Sequence, residues 1–380
     1  MSEILARLRV RETHGIRRFL YPVEVEVALP LNIALNPKRK QLSLATSTDL
    51  PVPFELSPVS PKEMQASFGE LASIYPWTLR FAMFLAPFED TDFVLNLDQL
   101  HVDLDDPLQL YVPEEGTVLS TIPNDVVRSV QKRLTTSLTP HGQIAEITYD
   151  DVPHLRGETT IARSEEVTVE GEQTWDFGLF AAWTQEKAHY KDGSYAITRA
   201  ELTACKSWVT VTHLLEQPKP HDEVIFTLPL AITAPALTCD FGVGGYVFGK
   251  LDEKASEIVW RTEFGDTSYA RWSVATAGRT DYVGEVATAE EFLPQRWFHL
   301  IDSDKALAVA ITQVPPDCRE MMVRLTHEGD VSIAFRLGET ITGPAVFGVC
   351  YHFLNDIPAI AAATNPQSIL LPPVVDVLPV

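Results

Sequence analysis

The sequence is poor in basic residues. In 380 residues, 30 lysines and arginines stand against 52 aspartates and glutamates, which gives a net charge of −22 at pH 7. Nucleic-acid binding needs clustered Lys and Arg, because the release of counterions supplies much of the affinity. The acidic balance therefore argues against a nucleic-acid partner and, for the same reason, against an anionic membrane surface. An acidic surface also discourages association between exposed sheet edges.

Cysteine and long apolar runs are also scarce. The four cysteines are Cys205, Cys239, Cys318 and Cys350, without a CxxC pair or the Cys/His spacing of a zinc site. So few cysteines in a long chain predict free thiols rather than a disulfide framework. The stretch Met1–Leu8 is too polar for a secretory leader, and no apolar run approaches the ~20 residues that span a bilayer. These features predict a cytoplasmic protein, unless a leader has been trimmed from the chain.

The familiar catalytic motifs are missing as well. The sequence has no GxSxG elbow, no HExxH pair and no glycine-rich phosphate loop followed by a helix pattern. The glycines of Phe241–Gly245 are more typical of a tight turn or bulge between strands. Adjacent acids such as Asp150 with Asp151, or Glu290 with Glu291, point to opposite faces of a strand. They therefore do not form the facing carboxylate pair of a glycosidase.

The dominant feature that is present is apolar/polar alternation with period two. It is clear in Val23–Val27 and Ser207–Thr212, and it recurs along the chain between turns marked by 27 prolines. Period two is typical of pleated strands with one buried face, whereas helices need apolar residues three and four apart. With 45% hydrophobic and 22% charged residues, the chain has an ordinary globular composition. The sequence predicts an all-β fold.

The chain is longer than one core usually supports, so two packed units are expected. We predict an N-terminal β-sandwich over residues 1–123, in which Pro51–Leu56 is an edge strand and Ser60–Ile74 is a competing helix. A loop near Ile122–Asp125 marks the junction. Residues 124–380 are predicted to form a large antiparallel β-supersandwich, with Ile369–Val375 returning as an edge strand.

Four clusters place aromatic rings beside Arg, His and carboxylates. They are Trp183–Tyr190 with Tyr195, Arg199 and Glu201; Trp208 with His213; Tyr269, Arg271 and Trp272; and Gln295–Asp302. Apolar sugar faces stack on rings, while hydroxyls and uronate carboxylates take directional hydrogen bonds. The clusters therefore indicate a carbohydrate site. The alternative is that they are strand residues with half-buried rings and with Arg and His at the sheet rims.

Roles can be assigned to these residues by type. The predicted substrate-binding residues are Arg199, Arg271 and Arg296, of which Arg199 or Arg271 would hold a carboxylate, and a stacking platform of Trp208, Trp272 and Trp297. His213 or His299, with Tyr190 or Tyr195, would exchange protons as the catalytic groups. No cofactor or catalytic metal is predicted. The segment His101–Asp105 alternates polar groups that suit a structural calcium ion, although a wet edge strand is the simpler interpretation.

Three stretches carry a family resemblance. They are Arg18–Leu29 followed by Asp49–Glu55, then Lys206–Leu228, and then Phe292–Ile311 with its Arg296–Asp302 segment. In this order they resemble the β-rich C-terminal region of family 38 α-mannosidases and the wider galactose-mutarotase-like supersandwich proteins. The mannosidase catalytic domain, with its metal-binding acids, has no counterpart here. The resemblance therefore implies a fold and a carbohydrate setting, but no catalytic residues.

Together these features predict a carbohydrate-active enzyme that cleaves a glycan or oligosaccharide. A uronate-containing substrate and β-elimination, the reaction of a polysaccharide lyase, are slightly preferred over a glycoside hydrolase. One alternative is a non-catalytic glycan-binding or assembly protein that uses the same aromatic surface. A second alternative is a sugar epimerase or mutarotase.

Overall fold

The computed structural model is built almost entirely from antiparallel β-strands, which confirms the all-β prediction. It describes residues 3–30, 42–59, 74–97, 108–111, 117–121, 133–139, 143–155, 157–162, 167–178, 180–191, 193–203, 206, 208–216, 223–230, 237–240, 247–251, 257–264, 270–276, 278–286, 297–301, 306–315, 318–337, 344–353 and 367–380. Within this part of the chain, no helix is long and apolar enough to cross a membrane.

The strands of the N-terminal part are β1 (Glu3–Arg11), β2 (Arg18–Pro30), β3 (Leu42–Thr46), β4 (Pro51–Val52), β5 (Phe54–Pro58), β6 (Ile74–Leu85) and β7 (Asp90–Leu97). Those of the middle of the chain are β8 (Leu108–Tyr111), β9 (Thr117–Thr121), β10 (Leu134–Leu138), β11 (Ile144–Tyr149), β12 (Val152–Pro153), β13 (Thr160–Ala162), β14 (Val167–Phe177), β15 (Ala181–Tyr190), β16 (Tyr195–Thr203), β17 (Trp208–Glu216) and β18 (Glu223–Pro229).

The remaining strands are β19 (Leu237–Asp240), β20 (Val247–Leu251), β21 (Glu257–Phe264), β22 (Ala270–Thr276), β23 (Arg279–Val286), β24 (Trp297–Ile301), β25 (Ala306–Gln313), β26 (Cys318–Thr326), β27 (Asp330–Leu337), β28 (Ala345–Phe353) and β29 (Val374–Leu378). One helical turn, α1 (Gln367–Leu370), precedes the last strand.

The N-terminal strands form a sandwich of two sheets. A five-stranded sheet in the order β29-β1-β7-β3-β4 packs on a three-stranded sheet in the order β2-β6-β5. The alternation in β2 explains how it packs: Val23 and Val27 are buried in the core, while Glu24 and Glu26 are exposed. The apolar face of each sheet is therefore covered by the other sheet.

Two predicted edge strands are found at edges, with differences in detail. The single strand predicted over Pro51–Leu56 is split after Val52, so that β4 forms an edge of the five-stranded sheet and β5 an edge of the three-stranded sheet. Proline cannot donate to an inner ladder, which fits both positions. The C-terminal edge strand predicted over Ile369–Val375 is wrong in its bounds, because a helical turn ends at Leu370 and the strand begins only at Val374. That strand does lie at an edge, but it pairs with β1 of the N-terminal sheet rather than with the large sheets.

The second sandwich is much larger. A nine-stranded sheet in the order β14-β15-β16-β17-β28-β25-β24-β19-β20 faces a layer made of a seven-stranded sheet, β13-β18-β27-β26-β21-β22-β23, and a five-stranded sheet, β12-β11-β10-β9-β8. A bridge between Leu155 and Leu230 connects the two sheets of that layer. We call the face of the nine-stranded sheet that packs on this layer its inner face, and the opposite face its outer face.

The N-terminal sandwich covers part of the outer face. Trp208, Trp297, Ala310 and Cys350 belong to the core of the N-terminal sandwich, and the Tyr21 ring meets the Trp208 ring edge-on at a centroid distance of 6.4 Å. The covered part lies over β17, β28, β25 and β24. On the outer face of β15 and β16, polar side chains remain partly exposed.

Buried charges lie beside this contact. Arg18 and Glu12 form a fully buried ion pair, and the Arg18 guanidinium also donates to the Leu371 carbonyl. The Lys206 ammonium is buried too, 5.3 Å from the centre of the Tyr21 ring. Buried ions of this kind are tolerated only when they are well paired.

Some predictions concern residues outside the described part of the chain. These are the competing helix before Ile74, the possible calcium segment His101–Asp105, the turn Phe241–Gly245, the acids Glu290 and Glu291, and the junction near Ile122–Asp125. The division of the chain at residue 123 stays a prediction.

Candidate functional site

The first of the four predicted clusters comes together on the outer face of β15 and β16. These strands pair in a register that sets Trp183 opposite Glu201, Gln185 opposite Arg199, and His189 opposite Tyr195. Alternate residues of both strands are buried, and the residues between them are partly exposed. We give the name outer-face cluster to six of these partly exposed residues, namely Trp183, Lys187, His189, Tyr195, Arg199 and Glu201.

One end of the cluster is an arginine packed on a tryptophan. The Arg199 Cζ atom lies 4.3 Å from the centre of the Trp183 ring. The same guanidinium donates from Nη2 to Glu201 Oε2 at 3.0 Å. The side chains of Arg199 and Glu201 are 39% and 32% exposed, so the pair is stabilised only modestly against water. A ligand can therefore exchange with either partner at low cost.

The other end is a tyrosine with two basic neighbours. The Lys187 Nζ atom lies 4.6 Å from the centre of the Tyr195 ring, and the His189 ring lies 6.1 Å away between centroids. The Tyr195 hydroxyl donates to Glu216 on β17, and this hydrogen bond raises the pKa of Tyr195. The phenol therefore stays protonated at neutral pH, with its proton directed toward the Glu216 carboxylate.

Side chains of the N-terminal sandwich lie close to the start of β15. Glu55 of β5 accepts a hydrogen bond from the backbone N–H of Phe180 at 3.0 Å. The Arg80 Nη1 atom of β6 is 3.8 Å from Glu55 Oε1, and Arg80 Nε donates to Glu24 at 2.7 Å. The approach to the Trp183 end of the cluster is thus bordered by charges from both sandwiches.

His213 is on the wrong side of the sheet to act with this cluster. It is 1% exposed on the inner face of β17, where its ring contacts Phe226 and Phe347 at centroid distances of 4.4 and 4.9 Å. Its Nδ1 atom is 3.0 Å from the Thr198 hydroxyl. Burial lowers the pKa of His213 to about 3. The imidazole is therefore neutral at pH 7 and shielded from any ligand.

The three tryptophans of the predicted platform are covered by protein. Trp208, Trp272 and Trp297 are 5%, 3% and 7% exposed. Trp208 and Trp297 lie beneath the N-terminal sandwich, and Trp272 lies between the sheets of the supersandwich. In this structure they do not offer ring faces to a sugar, because the N-terminal sandwich covers Trp208 and Trp297 and the opposing sheet covers Trp272. Trp208 and His213 do face opposite sides of β17, as their spacing predicts.

The other predicted residues are dispersed. Tyr190 packs against the core of the supersandwich. Arg271 is exposed on the seven-stranded sheet, opposite Glu263 and Glu285, and so lies across the whole sandwich from Arg199. The backbone of His299 lies in β24, paired with Ala308 and Asp240. The side chain of His299, and all of Arg296, lie outside the described residues, and their roles stay predictions.

Three charged residues near the cluster could not be predicted from the sequence. Glu55, Arg80 and Glu216 reach the neighbourhood of the cluster from strands distant in the chain, and strand pairing at such separations is not visible in a single sequence. Among the described residues, no group of three or more His, Cys, Asp or Glu lies close enough to hold a metal ion.

Neither a protein-family model nor a curated protein matches the sequence. Among solved structures, the chain is similar to a glycosyl hydrolase family 38 protein from Enterococcus faecalis, with 10% identity and a TM-score of 0.50 over 99% of this chain and 47% of that one. It is similar to an α-mannosidase from Enterococcus faecalis V583, with 12% identity and a TM-score of 0.51 over 98% and 46% of the two chains. A galactose 1-epimerase from Lactobacillus acidophilus NCFM has 8% identity and a TM-score of 0.37, over 65% of this chain and 98% of that one.

The chain therefore spans slightly less than half the length of the two family 38 structures. At this level of identity the likeness shows the fold alone. It confirms the structural resemblance that the sequence predicts.

Proposed function

We propose that this protein is carbohydrate-active and that the outer-face cluster contacts the glycan. The observation that carries the proposal is the pairing of two partly exposed rings, Trp183 and Tyr195, with the cations of Arg199 and Lys187 on one strand pair. Ring faces stack on the apolar face of a sugar, and the adjacent cations and carboxylates bind its hydroxyls. The likeness of the fold to family 38 hydrolases supports the same ligand class.

Catalysis is the second candidate, and the position of Tyr195 beside Glu216 and His189 favours it. Its phenol would pass a proton to a leaving oxygen only when a ligand replaces Glu216 as its hydrogen-bond partner. The preference for β-elimination has no support in this arrangement, because the base expected at His213 lies in the core. Hydrolysis and epimerisation are the other reactions that a proton donor at this position would serve.

The test is a glycan panel read out in four ways. Binding is measured by calorimetry, elimination by absorbance near 235 nm, hydrolysis by reducing ends, and epimerisation by anomeric NMR signals. Trp183→Ala is expected to weaken binding about tenfold, since loss of one stacking contact with its desolvation is worth about 1.4 kcal/mol. Tyr195→Phe should abolish turnover while leaving binding nearly unchanged. The matched control is Arg271→Ala, an exposed arginine on the opposite side of the sandwich.

Binding without turnover across the panel would assign a glycan-binding function. Binding that is equally weakened by Arg271→Ala would contradict the placement of the site on the outer face. A complete lack of binding would overturn the proposal.

We further propose a reducing, cytoplasmic location. Cys318 and Cys350 are free and buried, and burial raises the pKa of each thiol to about 12. Their thiols are therefore protected rather than reactive. Alkylation of the unfolded chain without reductant, followed by mass measurement, should modify every cysteine, and any disulfide recovered in this way would count against the proposal.

A further inference from the structure

A second candidate site lies at one corner of the N-terminal sandwich. A cleft of about 880 Å³ lies where the turn Thr46–Leu50, the end of β6 and the start of β7 meet beside Arg9 of β1. We call it the corner cleft. Its volume is in the range of about 300–1,000 Å³ that is typical of small-ligand sites. It shares no lining residue with the outer-face cluster.

Two large apolar side chains are exposed in the corner cleft. Phe84 is 57% exposed and Leu50 is 62% exposed, and both line the cleft. Phe84 points away from the core because its neighbours on β6, Met83 and Leu85, are buried. An apolar patch in a concave surface is a common mark of a ligand site.

The lining also carries four hydroxyl groups and fixed polar pairs beside its apolar residues. The hydroxyls are those of Thr46, Ser47, Thr48 and Thr91. The Thr46 hydroxyl is 2.9 Å from that of Thr48 and accepts the Leu50 N–H at 3.2 Å, which fixes the turn. Arg9 holds Asp92 through two hydrogen bonds of 2.7 and 3.0 Å. The polar wall is therefore preorganised, which lowers the entropy lost on binding.

A strained turn borders the corner cleft just before Glu89. Phe88 has a φ angle of 60°, in the left-handed region that is costly for a bulky residue. Phe88 is 72% exposed, and its ring lies on Gly15, where a Cβ atom would come within 2.8 Å of it. Non-glycine residues in such conformations cluster at functional sites.

The net negative charge of the lining disfavours anionic ligands. Three carboxylates, those of Glu89, Asp90 and Asp92, stand against the single guanidinium of Arg9. The Arg9 hydrogen bond lowers the pKa of Asp92, so this carboxyl stays ionised. An anionic ligand is repelled, whereas a neutral ligand with one apolar face and many hydroxyls matches the ring, the hydroxyls and the carboxylates. We propose that the corner cleft binds a neutral oligosaccharide, at a site separate from the outer-face cluster.

The experiment titrates maltose, cellobiose, lactose and α-1,2-mannobiose into the full chain and three variants by calorimetry. Phe84→Ala removes the exposed ring of the corner cleft, Trp183→Ala removes a ring of the outer-face cluster, and Arg271→Ala is the control outside both sites. We expect at least one disaccharide to bind with an affinity that falls about tenfold or more in Phe84→Ala and is unchanged in Arg271→Ala. Because Phe84 is exposed, its variant should keep the thermal midpoint of the parent chain.

Asp90→Asn gives an independent check, since it removes an acceptor charge while keeping the shape of the side chain. It should weaken the same disaccharide as Phe84→Ala. Absence of binding by all four disaccharides, or binding that Phe84→Ala does not alter, would overturn the proposal. Binding lost only in Trp183→Ala would overturn it as well, while supporting the outer-face cluster as the glycan site.

Discussion

The buried imidazole of His213 should make the stability of the protein sensitive to mild acid. The perturbation is a drop from pH 8 to pH 5, compared between the parent chain and His213→Gln. The pKa of His213 falls from 6.5 to about 3 on folding because its ring is buried. The Gln variant keeps a hydrogen-bonding group beside Thr198, but it does not titrate.

The sign and size of the change in unfolding free energy follow from the difference between the folded and unfolded pKa values of His213. Between the two pKa values the unfolded chain binds a proton that the folded chain does not, so acid stabilises the unfolded state. Above pH 6.5 His213 is neutral in both states and does not lower the free energy of unfolding. As the pH falls from 6.5 toward 3, the free energy of unfolding decreases progressively. At pH 5 the loss is about 2 kcal/mol, which follows from 1.36 kcal/mol per pH unit below the unfolded pKa. That is a large part of a typical total of about 5–15 kcal/mol.

The assay is urea unfolding followed by tryptophan fluorescence at both pH values. The parent chain should lose about 2 kcal/mol more than His213→Gln between pH 8 and pH 5. Comparing the change in each chain cancels the carboxylates, which titrate in both. An equal loss in the two chains would refute the reasoning. It would mean that folded His213 accepts a proton. The counterion would then be Glu186 of β15, which lies opposite Thr198 of β16, the residue that in turn lies opposite His213.

Two further predictions concern buried packing. Glu12→Gln should lower the unfolding free energy by about 3–5 kcal/mol, because it leaves the Arg18 guanidinium buried without its counterion. Adding Arg18→Met should recover part of this loss in denaturant titrations, and a loss under 1 kcal/mol in the single variant would contradict the buried pairing. Gly284→Ala should cost about 1–3 kcal/mol in thermal unfolding, since its Cβ would lie 2.3 Å from Cζ2 of the buried Trp272 ring. An unchanged thermal midpoint in Gly284→Ala would show that the ring moves aside freely.

Most strands could be predicted because their inward residues are apolar. The exceptions are instructive. β15 is predicted as a strand only in the alternative interpretation of the first cluster. Its buried positions include Thr184 and Glu186, so its sequence does not alternate in hydrophobicity although its side chains alternate in space. No strand is predicted for β1, and its central place in the N-terminal sheet depends on pairing with β7 and with the distant β29.

The candidate site was predictable only in part. The sequence predicts that Tyr195 and Arg199 share one face, because residues of like parity on a strand do so, and they lie together on the outer face of β16. Their functional roles stay predictions. The roles predicted for Trp208 and His213 depend on which faces of their strand are exposed to solvent, and the sequence does not show this. Both belong to β17, and both of its faces are covered at these positions, one by the N-terminal sandwich and the other by the opposing layer.

The sequence by itself determined the class of fold, the proline-marked edges and the sets of residues that share a strand face. Those properties are local, since they follow from the pleat and from the backbone chemistry of single segments. Only the tertiary structure decided which faces are buried, because covering a face takes a second sheet whose residues are far away in the chain. For that reason the rings of Trp183 and Tyr195 remain open while those of the three predicted tryptophans do not.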